Sequence, residues 1–119
     1  MDGAVTTEMG RIEGDVEVTE PYTLLGAIRG SVVVKAGGTM TLIGKVAGDA
    51  TIEPGARAEI AGSVGGDAVN LGGDLAIAGL VEGDLDARAG RTILHDKAKV
   101  RGEIRGEVRV VSEEEYSRR

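Results

Sequence analysis

The sequence lacks or nearly lacks several residue types that ordinary globular domains use. It has no cysteine, phenylalanine or tryptophan, and its only tyrosines are Tyr22 and Tyr116. Without cysteine, disulfides and thiolate metal sites are excluded. Without large aromatic rings, a wide core is difficult to fill. The apolar residues are mainly Val, Ile, Leu and Ala, and they predict a narrow core.

Two further shortages limit the possible partners. Basic residues are in the minority, with 14 Lys and Arg against 20 Asp and Glu, so the net charge is -6. This charge argues against a nucleic-acid binder, which needs a basic face. No apolar run approaches the roughly 18 residues of a membrane span, and the first ten residues carry no secretion signal. We therefore expect a cytoplasmic protein with no nucleic-acid partner and no integral membrane segment.

Glycine is abundant, by contrast, and six near-copies of a glycine-centred segment run along the chain. The central glycines are Gly14, Gly30, Gly48, Gly66, Gly83 and Gly102. Their spacings are 16, 18, 18, 17 and 19 residues, a mean of 17.6. Within each copy, apolar and polar residues alternate with a period of 2, which predicts one short strand. In residues 46–52, for example, Val46, Ala50 and Ile52 are expected to share the inner side with Gly48.

A finer period of six residues is superimposed on this repeat. It links Val46, Ile52, Ala58, Val64, Asn70 and Ala76. This hexapeptide rhythm predicts an all-β fold, a single-stranded, three-sided β-helix (a β-solenoid) with about six windings of 17–18 residues. Each side of such a winding measures roughly 20 Å, which suits small aliphatic side chains. We assign residues 1–9 to an N-terminal tail or cap, 10–111 to the β-helix and 112–119 to a charged C-terminal tail.

Acidic residues follow most of the central glycines and form a ladder. They are Asp15, Asp49, Asp67, Asp84 and Glu103. The ladder lacks the tandem glycine-aspartate nonapeptides of calcium-binding β-rolls, so a solvated outer face is expected and no metal. Asp49, Asp67 and Asp84 are also the candidate contact face of an alternative function. In that alternative, the chain is a small acidic protein-binding module, such as a toxin-neutralising immunity protein or a scaffold.

A third hypothesis rests on His95, the only histidine. Hexapeptide-repeat acyltransferases have this rhythm and use a histidine as general base. His95 stands beside Asp96 and Lys97, however, a setting that favours a surface residue. There is no serine–histidine pair, phosphate-binding loop or Cys/His cluster, so we expect neither an enzyme nor a cofactor.

The two ends of the chain differ in charge. Residues 1–20 contain six acidic residues and one basic residue, net -5, whereas residues 97–110 contain five basic and two acidic residues, net +3. The ends of a solenoid expose unpaired strand backbone and the edge of the core, and a monomeric solenoid normally caps them. No amphipathic capping helix is evident, so self-assembly through the end windings is the first hypothesis. The interface residues would be Ile12, Val16 and Val18 at one end and Ile104, Val108 and Val110 at the other.

Segments such as Gly10-Arg11-Ile12-Glu13-Gly14-Asp15-Val16 and Gly44-Lys45-Val46-Ala47-Gly48-Asp49-Ala50 share one pattern. It reads glycine, any residue, valine or isoleucine, any residue, glycine, acidic residue, aliphatic residue. In this pattern, in period and in number of windings, residues 10–111 resemble the bactofilins, a family of bacterial polymer-forming cytoskeletal proteins.

The resemblance implies a right-handed, three-sided β-helix that polymerises through its ends without nucleotide, often at the membrane. The chain departs from the family in having a short N-terminal tail with no apolar anchor. Its acidic start and basic finish also favour head-to-tail contact, whereas a family-like filament joins like ends.

Overall fold

The chain forms a coil of short parallel strands. The computed structural model describes residues 6–117, and of Thr6 only the backbone; within this range there are 17 strands and one short helix. Every strand pair is parallel and lies one winding apart in sequence, as between Ala27 and Lys45 or between Arg57 and Asp74. This connectivity confirms the predicted β-solenoid of about six windings.

The coil has three faces. Face 1 consists of two-residue strands: β2 (Arg11–Ile12), β5 (Ala27–Ile28), β8 (Lys45–Val46), β11 (Ser63–Val64), β13 (Leu80–Val81) and β15 (Lys99–Val100). Face 2 consists of β3 (Val16–Val18), β6 (Val32–Val34), β9 (Ala50–Ile52), the first parts of β12 (Ala68–Ile77) and β14 (Leu85–His95), and β16 (Ile104–Gly106). Face 3 consists of β1 (Thr6–Glu8), β4 (Pro21–Leu24), β7 (Thr39–Leu42), β10 (Arg57–Ile60), the second parts of β12 and β14, and β17 (Arg109–Val111). Because β12 and β14 run unbroken around a corner, they join faces 2 and 3 into one bent sheet.

Inward side chains stack in columns along the coil. The best example, which we call the Leu24 column, contains Leu24, Leu42, Ile60, Ile77, Leu94 and Val110 in strand register. Leu24, Leu42 and Ile77 are at most 1% exposed. Alternating residues point outward, as in β7, where Met40 and Leu42 are buried and Thr39 is exposed. The core is narrow and aliphatic, as the composition predicts.

The glycine-centred segment is a corner and not a strand, so the prediction of one strand per copy was wrong. In the third copy, β8 ends at Val46 on face 1 and β9 begins at Ala50 on face 2, with a bend between them. A Cβ on Gly48 would lie 2.4 Å from the Ser31 Oγ and 2.8 Å from the Gly30 carbonyl oxygen. The period of 2 continues through this corner, which is why the pattern conceals the bend.

The six-residue rhythm also fails at one position. Ala76 was expected in the inner set, but it pairs with Glu59 on the outer side of face 3. The corner before β10 uses four residues, 53–56, whereas the corresponding corner inside β12 uses three, 71–73. The missing residue shifts Ala76 by one place and so reverses its direction.

The C-terminal segment of the described chain is helical and lies along the solenoid. Helix α1 (Glu113–Ser117) follows β17 and packs Tyr116 against the outer side of face 3. No helix within residues 6–117 is long and apolar enough to cross a membrane. The principal extents are 33 × 29 × 24 Å, so the molecule is a short prism.

Candidate assembly interface at the ends of the solenoid

The C-terminal end of the core is open. Ile104 and Val110 sit in inward columns, beside Leu85 and Leu94 respectively, yet they are 48% and 61% exposed. Val100 and Val108 are partly buried next to them. Within residues 6–117, β15, β16 and β17 have a strand neighbour on one side only. This end therefore presents both apolar surface and unpaired strand backbone.

The described part of the charged tail, residues 112–117, does not cover this end. From Val111 the chain turns back along face 3, where the Tyr116 ring packs on Ala76 and Ile93. The Tyr116 hydroxyl donates a hydrogen bond to the Glu59 carboxylate at 3.2 Å, three windings away from the last strand of the open end. Arg109 and Glu115 form an ion pair that holds the start of the helix to β17.

At the N-terminal end, the three predicted interface residues differ in accessibility. Ile12 and Val16 are partly buried against the core, and Val18 is buried with 2% exposure. Glu8 of β1 lies beside Leu24 and so occupies the position that begins the Leu24 column. A carboxylate thus stands at the start of a column whose other members are aliphatic.

The pKa of Tyr22 is affected by the same Glu8 carboxylate. Burial raises the pKa of its hydroxyl, and the nearby Glu8 carboxylate raises it further. Met9, the next residue after β1, is 74% exposed.

The charges at the two ends are arranged along defined columns. On face 1, Glu13 forms ion pairs with Arg29 of the next winding at 3.6 Å and with Arg11 at 3.3 Å. Five windings later in the same column, Arg101 pairs with Glu82 at 3.4 Å. This column therefore begins with an acidic residue and ends with a basic one.

On face 2, the column that begins with Glu17 ends with Arg105, which lies beside Asp86. Arg105 also reaches Asp84 at 3.2 Å and Glu103 at 2.9 Å. The carboxylates of Asp84 and Glu103 raise the pKa of the Arg105 guanidinium. Like the column on face 1, this one begins with a negative charge and ends with a positive one.

The acidic ladder has a structural role that the sequence pattern did not show. The Asp49 Oδ1 accepts the backbone N–H of Asp67 at 2.8 Å, and the Asp67 Oδ1 accepts that of Asp84 at 2.8 Å. The same bond joins Asp15 to the Ser31 amide and Asp84 to the Glu103 amide. Each rung therefore ties one winding to the next along an exposed corner. Contact of Asp49, Asp67 and Asp84 with a basic protein stays a prediction.

The glycine before each acidic residue makes this bond possible. A Cβ at Gly66 would lie 2.0 Å from the Asp49 Oδ1, and one at Gly83 would lie 2.2 Å from the Asp67 Oδ1. The glycine thus leaves room for the carboxylate of the preceding winding. The glycine-acidic pair is one structural unit that spans two windings.

His95 is buried with 6% exposure, so the expectation of a surface residue was wrong. Its Nδ1 accepts the Lys97 amide N–H at 3.0 Å, which leaves the proton on Nε2 to be donated to Glu113 at 2.6 Å. The Tyr116 ring packs edge-on against the imidazole, with centroids 5.2 Å apart. The Nε2 bond and the Tyr116 contact hold α1 to the solenoid, while Nδ1 accepts from the turn after β14. Both ring nitrogens are thus occupied, which leaves neither free for the general-base role of the acyltransferase hypothesis.

Asn70 is a second buried polar residue whose role was not foreseen. Its amide nitrogen donates to the Gly73 carbonyl, the Arg91 carbonyl and the Thr92 hydroxyl, each at 3.0 Å. Its Oδ1 accepts the Gly72 and Gly73 amides. The side chain thus satisfies the backbone at the shortened corner of β12. The only hint in the sequence was an asparagine at a position where the repeat expects an aliphatic residue.

The described chain offers little to a metal or small ligand. Within residues 6–117, no three His, Cys, Asp or Glu side chains converge in a way that could hold a metal ion. An open groove of about 490 Å³ runs over face 3 beside α1, and its floor includes Thr41, Ala76 and Ile93. Several of the charged side chains that line this groove already pair with one another, since Arg57 pairs with Asp74 at 3.7 Å and Arg109 pairs with Glu115.

Comparisons with known proteins identify no relative of this chain. No family model matches the chain, and neither a curated protein nor a solved structure matches it significantly. The bactofilin resemblance therefore stays a prediction from the sequence.

Proposed function

We propose that this protein is a structural, self-assembling β-solenoid whose copies join through their end windings without nucleotide. The observation that carries the proposal is the open C-terminal end, where Ile104 and Val110 are exposed while the chain's own helix packs elsewhere. A bactofilin-like cytoskeletal filament in the cytoplasm is the form of this function that the sequence resemblance favours.

Two physical terms favour assembly at this end. Apolar burial contributes about 25 cal/mol per Å², so covering the exposed parts of Ile104 and Val110 stabilises a junction. Unpaired backbone of an edge strand is a ready template for another strand. Because the two ends are different surfaces, a contact between them is heterologous, and copies that stack along the coil axis without closing a ring form a filament.

The test is a pair of matched lysine substitutions. Ile104→Lys places a charge at the open end, and Ile43→Lys places one at a similarly exposed site on the side of the solenoid, 51% exposed against 48%. We expect wild type and Ile43→Lys to show concentration-dependent growth in light scattering and filaments by negative-stain microscopy. Ile104→Lys should stay monomeric with an unchanged β circular-dichroism spectrum. A wild-type protein that stays monomeric at every concentration would overturn the proposal.

A further inference from the structure

The coil begins and ends on the same face. Its first described strand, β1, and its last described strand, β17, both belong to face 3. Within residues 6–117, face 3 therefore has seven strands, whereas faces 1 and 2 have six each. Suppose that a second copy continues the coil, with its first winding stacked directly on the last winding of the first copy on faces 1 and 2. Then β2 of the second copy pairs with β15 of the first, and β3 of the second copy pairs with β16 of the first. On face 3, β17 then falls beside β4 of the next copy, at the place where that copy's own β1 lies.

We propose that copies join head to tail by strand exchange, with β17 of one copy displacing β1 from the edge of β4 in the next. The proposal rests on the end-to-end assembly proposed above and specifies its polarity, its register and the segment that must move. In the isolated molecule, β1 then acts as a removable cap on the N-terminal end.

The residues of β1 and β17 favour the exchange. In the register of face 3, Glu8 lies beside Leu24, whereas β17 would place Val110 there. The exchange therefore replaces a carboxylate by an aliphatic side chain at the start of the Leu24 column and buries a valine that is 61% exposed. An inward charge on an edge strand is a common device against unwanted pairing. In addition, β17 is braced by the Arg109–Glu115 ion pair, so β1 is the strand expected to leave.

A second, independent observation is the glycine at position 14. The five later glycines of its column, from Gly30 to Gly102, each have the preceding winding within 3.0 Å of a built Cβ. At Gly14, nothing among the described residues lies within 4 Å, so an isolated molecule does not need glycine there. In the head-to-tail junction, Gly102 and Glu103 of the preceding copy occupy that space.

The same register continues the ladder across the junction. Within residues 6–117, the Asp15 amide has no hydrogen-bond acceptor, although the equivalent amides of Asp67 and Asp84 each bond to the carboxylate one winding before. At the other end, the Glu103 carboxylate is 75% exposed and accepts a hydrogen bond only from Arg105. Stacking the copies brings the Glu103 carboxylate to the Asp15 amide of the next copy.

The charges are consistent with this polarity. The junction places Arg101 beside Glu13 of the next copy, and Arg105 beside Glu17, at the ends of the two columns described above. Two like pairs oppose these contacts, Lys99 beside Arg11 and Glu103 beside Asp15, and in the second pair the Asp15 amide offers the Glu103 carboxylate a hydrogen bond. A junction between two N-terminal ends would instead bring the acidic side chains of two first windings together, so head-to-tail contact is favoured.

A disulfide that locks β1 in place tests the exchange. Thr7 and Thr23 are register partners of adjacent parallel strands, about 4.8 Å apart, which is within disulfide range. The chain has no native cysteine to interfere. We expect oxidised Thr7→Cys/Thr23→Cys to raise the concentration needed for assembly at least tenfold and reduction to restore it. The control is Thr23→Cys/Thr41→Cys, a register pair that leaves β1 free.

The disulfide-locked variant distinguishes the strand-exchange proposal from the proposal of end-to-end assembly. If the locked protein assembles as readily as wild type, the strand exchange is wrong but end-to-end assembly stands. If neither wild type nor any variant assembles, end-to-end assembly itself fails.

Polarity is tested by a second pair, Thr23→Cys with Arg109→Cys. In the proposed register Arg109 lies beside Thr23 of the next copy, so oxidation of the assembled double variant should give a ladder of covalent multimers on a denaturing gel. Each single-cysteine variant should give none. Covalent dimers from Thr23→Cys alone would show that like ends meet and would overturn the proposal.

Gly14→Ala supplies a third measurement. We expect it to fold with wild-type stability, because its Cβ meets nothing among the described residues, and to raise the concentration needed for assembly at least tenfold. Unchanged assembly by this variant would contradict the register.

Discussion

The carboxylate ladder makes a quantitative prediction about stability. Asp67→Ala removes the Oδ1 that accepts the Asp84 amide at 2.8 Å, in the middle of the coil. Because the rung is exposed, water can partly replace the lost acceptor. A net loss of about 1 kcal/mol in the free energy of unfolding is expected, as for an exposed side chain that caps a backbone N–H.

Asp67→Asn separates the hydrogen bond from the charge. The amide oxygen can still accept the Asp84 N–H, while the like charges of Asp49 and Asp84 lose a neighbour about 5 Å away. Two charges at that distance repel by roughly 0.8 kcal/mol in water before screening by salt. The expected order of stability is therefore Asn at or slightly above Asp, with Ala about 1 kcal/mol below.

The assay is urea unfolding followed by circular dichroism, with all variants made in the monomeric Ile104→Lys background. In thermal unfolding, 1 kcal/mol corresponds to roughly 5 °C for a chain of this size. Asp74→Ala is the control, because it removes an exposed carboxylate whose ion pair with Arg57 spans 3.7 Å and should change stability by less than about 0.5 kcal/mol. If Asp67→Ala matches Asp67→Asn and wild type within error, the ladder does not tie the windings together.

Three further predictions concern single side chains. Asn70→Ala should lower the free energy of unfolding by about 2–3 kcal/mol, since it leaves buried backbone groups at the β12 corner without partners. Urea unfolding measures this loss, and a change below about 0.5 kcal/mol would contradict the proposed role of Asn70. Gly44→Ala should prevent folding of the third winding, because its Cβ would lie 1.8 Å from a carbonyl oxygen of the preceding corner; a native circular-dichroism spectrum and melting temperature would show that the close approach is not required. Hydrogen bonds from His95 and Ser117 lower the pKa of Glu113 below its ordinary 4.5, so the docking of α1 should be favoured above pH 4.5 and lost as the pH falls through that lowered value. The Tyr116 amide, followed by NMR, should then lose its dispersed shift on acidification, and Glu113→Gln, which keeps an acceptor but does not titrate, should remove this dependence; an identical acid transition in that variant would refute the assignment.

The architecture was predictable because every winding repeats the same requirement. Aliphatic residues must return to one column each turn, so a mean spacing of 17.6 residues between glycines predicts the solenoid without any long-range information. The scarcity of aromatic residues supports the same narrow core. The positions of Ile104 and Val110 at the end of the coil were also predictable, because they continue inward columns at the end of the repeat.

The features that were missed are those that occur once. Asn70 interrupts an aliphatic position, but its partners Gly73, Arg91 and Thr92 become neighbours only when the coil closes. Tyr116 lies in a charged tail, and its bond to Glu59 spans 57 residues, so no period reveals it. The corner at each central glycine was missed for a different reason, since the alternation of apolar and polar residues is the same on both sides of the bend.

The axial repeat of an assembled filament tests the central claim most directly. Six layers of about 4.8 Å give a repeat of about 29 Å per copy when β17 takes the place of β1. If β1 stays in place, seven layers give about 34 Å, and a junction of like ends doubles the repeat to roughly 58 Å or more. Electron cryomicroscopy of filaments should show the shortest of these repeats in a polar fibre. Either of the longer repeats would contradict strand exchange, and a protein that forms no filament at any concentration would contradict end-to-end assembly.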